Sequence, residues 1–479
     1  MINKFSLLKL SKFFLYLVPF IILIVTRSTL FPFIVGKYFF FRVFVDLALI
    51  SFIWAWARGE TQKPIFNFSA KGGSALGGQF SIFKNPIVIA VSVFTLIFLL
   101  AGFFGYNPSA SFWSNFERGE GGLQMLHLFI FFILMVLLFR DEESWRKMLK
   151  FSIWAAVLMI AYGLLAAVET KSGEPVFRFF IGPNLCDPNV RFSGSLGNPA
   201  YLGTLMIFSL FFAGVLLNSG WNVYKKWLKW LFMGLFILFL LALLFSQTRG
   251  AFLGLIMGII VGLFYLLFVL PKGRMWKILL AATVIFIILG WVVFNFRHSI
   301  DLMPFCGNEG GGNRILDISP NAASFKTRLL LWKQALVLTK ERPILGWGPE
   351  NFSPAFEKHY RPEFTVWFDR AHNIFLDYLS QTGILGFLSY LSIFITFYWQ
   401  FFKKTLINAD KKPMTADKFK SAAISNQSAV IRSLLFALPI AYLVQGIVLF
   451  EVLPIYICLF IFLAFANYKF SKQESGTRN

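Results

Sequence analysis

His372-Asn373, nine residues, then Gly383-Ile384-Leu385-Gly386 stands at the junction that decides the fold. Before it lies residues 297–370, the one extended polar segment of the chain, closed by Ala371-His372-Asn373 just as a new hydrophobic run begins. Helical geometry puts a titratable imidazole at the mouth of a membrane helix and two glycines about three turns deeper. That mouth is the candidate site.

A chain with 57% hydrophobic residues, 14% charged residues and a mean hydropathy of +0.68 cannot cover its apolar surface with polar groups, so it belongs in a bilayer. With about 20 apolar residues per crossing, spans fall near residues 13–25, 39–57, 86–104, 122–139, 151–168 and 196–217. Six more follow near 231–245, 251–270, 278–296, 374–402, 434–450 and 454–468, which makes twelve. Lys4, Lys9 and Lys12 precede the first run as they would in a signal peptide. No small-residue cleavage site follows, so the run reads as an uncleaved first helix. Cys186, Cys306 and Cys458 show neither metal-ligand spacing nor a disulfide framework.

With the N-terminus in the cytoplasm, seven inner segments hold 27 of the 45 Lys and Arg residues, and 10 of the other 18 lie in the long loop. Short outer segments poor in cations satisfy the positive-inside rule, so the loop faces outward. The same spread excludes a nucleic-acid partner, because the net charge of +22 is not gathered in one groove. The expected fold is an all-α polytopic membrane protein with about 12 transmembrane helices and one large extracytoplasmic loop containing helices. Its parts are helices 1–9 over residues 1–296, the loop over 297–373, and helices 10–12 with a cytoplasmic tail over 374–479. Both termini are then cytoplasmic and the candidate site faces the periplasm or exterior.

Within the loop, residues 323–341 carry Phe325, Leu329, Trp332, Leu336 and Val337 at helical spacing before Arg342-Pro343. This predicts an amphipathic helix lying on the membrane. Gly346-Trp347-Gly348-Pro349 then forces a tight turn. Residues 71–78 and 310–312 are glycine-rich and read as flexible linkers.

Two residue types at the outer face, arginine and histidine, can carry chemistry. Arg249, in Ser246-Gln247-Thr248-Arg249-Gly250, occupies a very short turn between two spans. It is either an interfacial anchor reaching headgroups or, with the free N–H groups of the helix it opens, a phosphate site. Arg328 lies on the loop helix, where a solvated polar position is the plainer reading. Arg191 opens the sixth span, so three arginines can converge on one outer cavity, although Arg342, Arg361 and Arg370 share that side. His372 is either a satisfied interfacial histidine or a general base that takes a proton from a sugar hydroxyl. Gly383 and Gly386 read as sites of close helix packing in lipid. The sequence lacks an Asp-x-Asp pair, a His-x-x-x-His pair, a P-loop and a serine nucleophile elbow. Leaving-group stabilisation by arginine remains.

Together these residues resemble the O-antigen ligase and O-antigen polymerase superfamily of bacterial membrane proteins. The resemblance rests on Arg249-x-x-x-Leu253, on Arg328…Trp332 followed by Pro343…Gly346-Trp347-Gly348, and on His372-Asn373 with Gly383-x-x-Gly386. Gly194…Gly197-Asn198-Pro199 is a softer match, and the similarity spans about residues 191–450. It implies a glycosyltransferase of cell-envelope polysaccharide, including lipopolysaccharide, in the bacterial inner membrane. Such an enzyme moves a glycan from undecaprenyl diphosphate to a lipid- or protein-linked acceptor, with neither metal nor other cofactor. By resemblance the essential groups fall on Arg249, Arg328 and His372, with Arg191, Asn198 and Asn373 in substrate binding. A polymerase or a protein O-oligosaccharyltransferase is the nearest alternative. An anion or solute transporter is a more distant one.

Overall fold

The computed structural model describes residues 6–60 except 27 and 30, 85–165 except 116 and 117, 168–169, 175–176, 191–296 except 222, 323–409 except 365, and 418–475. Among them the chain is helical, apart from an antiparallel pair of two-residue strands in which Val168 faces Val176. The glycine-rich stretches at 71–78 and 310–312, with Cys186 and Cys306, lie outside the described residues.

Among the described residues ten helices are long and apolar enough to cross a membrane, which makes this a multi-span membrane protein. The other two expected crossings are helical but fall short of that length as single α-helices. Gly122–Leu138 is an apolar helix of 17 residues, about 26 Å long against a hydrocarbon core of about 30 Å. The first run divides into an α-helix, Leu7–Leu17, and a 3-10 helix, Val18–Leu23. Pro19 accounts for the change, because it offers no N–H and its ring crowds the preceding turn.

Burial sorts the helices from centre to edge. The stretch Leu453–Ser471 is 89% buried and Pro199–Gly220 78%, whereas Arg274–Val293 is 6% buried although it is the most apolar of the three. An apolar helix with so little of its surface against protein is one that faces lipid. Between these extremes, Arg249–Val269 packs against Lys418–Gly446 along Gly250, Gly254, Gly258 and Gly262, four glycines on one face at a spacing of four. A Cβ at Gly254 would lie 2.5 Å from the Ala441 carbonyl oxygen, and one at Gly258 would lie 2.9 Å from Ala441 Cβ. Ser433 Oγ donates to the Gly262 carbonyl at 2.7 Å. This contact needs bare backbone, and it fixes the helix whose first residue is Arg249.

The helix that follows His372 is not one straight crossing. Residues Ile374–Ala409 are interrupted at Gly383, with φ 63° and ψ −169°. A break in mid-helix strands two carbonyls and two N–H groups. All four are satisfied by one segment of the loop. Trp347 N–H donates to Ser380 O at 3.0 Å and Gly348 N–H to Gln381 O at 2.8 Å, while Ile384 N–H reaches Pro343 O at 2.8 Å and Leu385 N–H reaches Ile344 O at 3.3 Å. The Pro343…Gly346-Trp347-Gly348 motif therefore plugs the break, and Gly383 is a conformational glycine where the sequence suggests a packing one. Its φ/ψ region is open to glycine alone, and an added Cβ would overlap the Ile344 backbone. Gly383→Ala is expected to cost about 3 kcal/mol or more. Thermal unfolding in detergent at wild-type stability would refute this role.

The loop helix forms where expected, over Ala323–Glu341, with a different buried face. Leu331, Ala335 and Leu338 are buried against Trp347, Phe352, Phe356 and Phe364, while Leu329 and Leu336 stay exposed. Trp347 Nε1 donates to Leu338 O at 3.0 Å and locks the helix to the plug. At 100° per residue, Arg328 shares the face of Leu331, Ala335 and Leu338. It is half-buried rather than solvated.

Candidate functional site

Arg249 is held by its turn. The helix Lys226–Phe245 ends at Ser246-Gln247-Thr248, with Gln247 at φ 48°, and Arg249 begins the next helix. Arg191 Nε donates to Ser246 O at 3.0 Å, and its Nη2 reaches Gln247 O at 3.3 Å and Thr248 Oγ1 at 2.9 Å. A cation on the last carbonyls of a helix complements its dipole. Arg191 thus shapes the turn that presents Arg249. Asn198 caps the helix Pro199–Gly220, its Oδ1 accepting from Ala200 N–H at 2.8 Å. Thr248 Oγ1 donates to Pro199 O at 3.1 Å, which ties this cap to the same turn.

Arg328 and His372 complete the cluster. Burial first, and the Arg249 charge second, pull Arg328 below the ordinary arginine range, so the two guanidinium groups lie within each other's field. His372 sits at φ 48°, between the rings of Phe368 at 5.6 Å and Phe450 at 5.0 Å between centroids. Burial first, then the charges of Arg328 and Arg118, lower its imidazole to about 4 against the opposing pull of Asp369. At neutral pH it is an unprotonated base. Asn373 caps the helix behind it, its Oδ1 accepting from Phe375 N–H at 3.0 Å and Leu376 N–H at 3.2 Å. Arg249, Arg328 and His372 are thereby linked by charge, while Arg191, Asn198 and Asn373 build the backbone that carries them.

The segment before His372 is clamped by buried ions. Arg118 Nε donates to Asp369 Oδ2 at 2.7 Å. Arg370 bonds Glu350 and Gln381 Oε1 (2.9 Å), and lies 3.3 Å from Glu120 and 3.5 Å from Asp377. One guanidinium thus serves three carboxylates. Beyond it lies a cavity of about 20 Å³, bounded by Glu120, Arg370, Asp377, Tyr378, Glu451 and Tyr456. That is room for one water.

Arg249, Arg328 and His372 are far apart in the chain and joined in one field. Residues 234–391 match the O-antigen ligase family. The resemblance read from the motifs is borne out over that stretch, which contains all three residues. No curated protein matches the chain.

The O-antigen ligase match does not reach Arg118, Glu120 or Glu451, which the sequence offered no means of finding. Arg118 and Asp369 are 251 positions apart, and nothing local marks either one. Burial pushes the Glu120 carboxyl up to about 8 against the pull of Arg370 and Arg118. It does the same to Glu451, also to about 8, with the Tyr442 hydrogen bond opposing and Glu120 and Asp377 adding to the rise. A carboxyl that keeps its proton in the fold and loses it when unfolded makes stability fall as pH rises between the two values, here from about pH 5 to about pH 8. Unfolding between pH 6.5 and pH 8.5 should therefore show a steeper loss of stability in the wild type than in Glu451→Gln. Equal slopes would contradict the buried-acid assignment.

Proposed function

We propose that the chain is a membrane glycosyltransferase of the O-antigen ligase type. It transfers a glycan from undecaprenyl diphosphate to an acceptor hydroxyl at the extracytoplasmic face. The observation that carries this reading is the charge-linked group of Arg249, Arg328 and His372. Two half-buried guanidinium groups that disfavour each other are stabilised by an anion shared between them, and Arg249 adds the N-terminus of its helix. A diphosphate fits that demand. The orientation is supported by the cations beyond the far ends of the two helices meeting at Arg249: Lys225, Lys226 and Lys229 at the start of one, and Lys272, Arg274 and Lys277 in the turn and helix that follow the other.

The reaction follows from these groups. Neutral His372 accepts the proton of the acceptor hydroxyl as its oxygen attacks the anomeric carbon in line. The bond from that carbon to the diphosphate breaks, and undecaprenyl diphosphate leaves with its charge held by Arg249 and Arg328. Configuration inverts in one displacement, and no step requires a metal ion or nucleotide. Donor binding also prepares the base, because a diphosphate on Arg328 offsets one of the charges that depress His372.

Purified protein incubated with a lipid-diphosphate glycan and lipid-linked, glycan-linked or peptide hydroxyl acceptors should yield glycosylated acceptor and free lipid diphosphate. The productive acceptor separates ligase, polymerase and protein O-oligosaccharyltransferase. Solute uptake into proteoliposomes without any glycan transfer would overturn the reading in favour of a transporter.

A further inference from the structure

We propose that the Arg118–Asp369 ion pair positions His372 and sets how readily its imidazole takes a proton. The inference rests on the reading of His372 as the base, and it brings into the site a residue that lies outside the O-antigen ligase match.

The geometry is specific. Asp369 lies three residues before His372 on the same clamped segment, and its charge acts on the imidazole. A carboxylate so near a catalytic imidazole would ordinarily be its partner, orienting the ring and stabilising its charged form. Here Arg118 takes that carboxylate through both Nε and Nη2, with side-chain exposures of 13% for Arg118 and 17% for Asp369. Arg118 also stands 4.9 Å from the centre of the Phe450 ring, which is flanked as well by His372 at 5.0 Å, Arg370 at 5.9 Å and Tyr201 at 6.0 Å. Imidazole and guanidinium thus share one aromatic ring.

The charged groups acting on His372 come from three elements. Arg328 acts from the loop helix, Asp369 from its own segment, and Arg118 from the turn before the helix Gly122–Leu138. Arg328 is the one that a bound diphosphate would neutralise. The Arg118–Asp369 pair stays in place, so it fixes the basicity that remains once the donor is bound. Arg118 is a positioning residue, acting on the chemistry through Asp369 and through its own field.

The test is an NMR titration of isotope-labelled histidine in the full-length protein in detergent, with the His372 signal identified by its loss in His372→Gln. Wild-type His372 should stay neutral down to pH 5. In Arg118→Gln the depressing cation is gone and Asp369 is released to the imidazole, so the midpoint should rise by about one pH unit, a tenfold gain in proton affinity. Adding Asp369→Asn should bring it back towards the wild type, and Asp369→Asn alone should not raise it. A wild-type midpoint in Arg118→Gln, a double variant titrating like Arg118→Gln, or a rise in Asp369→Asn alone would overturn the proposal. If these shifts appear and the wild type transfers no glycan, the positioning stands and the assignment of the reaction fails.

Discussion

Arg249→Ala and Arg328→Ala, each still inserted and folded, are expected to lower glycan transfer about a hundredfold or more, a loss of about 3 kcal/mol of transition-state stabilisation each. The effect should fall on turnover more than on donor affinity, because the charge on the leaving diphosphate grows as its bond to the sugar breaks. Lysine at position 328 should recover part of the loss, since it restores the charge without the planar fork that spans two phosphate oxygens. His372→Ala should be as severe, for want of any group to take the hydroxyl proton. The two arginine losses should not add, because both variants disturb one anion site. Transfer from a lipid-diphosphate glycan is the measurement, and wild-type activity in either arginine variant would remove that residue from the reaction.

Arg370→Leu is expected to be the most destabilising single change in the site, costing about 3–5 kcal/mol. It leaves Glu120, Glu350 and Asp377 in a buried region with no cation among them but Arg118, which Asp369 already holds. Glu120→Gln should be mild by comparison, since burial already favours the protonated carboxyl there. Thermal unfolding in detergent measures both. A loss of under about 1 kcal/mol in Arg370→Leu would show that the carboxylates find water or protons cheaply, and that the clamp on the His372 segment lies elsewhere.

Much of the framework was legible in the residues. Apolar runs of sufficient length predict the crossings, and among the described residues ten are present as helices long enough to span a membrane. The departures have local causes: Pro19 breaks the first run, and Gly122–Leu138 is short. The loop helix was placed at its true residues, yet its apolar pattern pointed to the wrong face. Leu329 and Leu336 are as hydrophobic as Leu331 and Leu338, and only the plug carrying Trp347 and Phe352 selects between them. The reading of Gly383 erred for the same reason. A glycine inside an apolar run looks the same whether a neighbouring helix or a loop backbone occupies the space beside it.

By itself, the sequence determined a multi-span helical membrane protein and, through motifs around Arg249, Arg328 and His372, a resemblance that the match of residues 234–391 to the O-antigen ligase family bears out. Hydropathy and short motifs are properties of neighbouring residues, so they survive without folding. The tertiary structure alone decided that Pro343–Gly348 fills the break at Gly383, that Arg191 is spent on the turn beneath Arg249, and that Arg118 holds Asp369. Each of these joins partners far apart in the chain, where pairing is set by which helix ends burial brings together and which buried charges must then be satisfied.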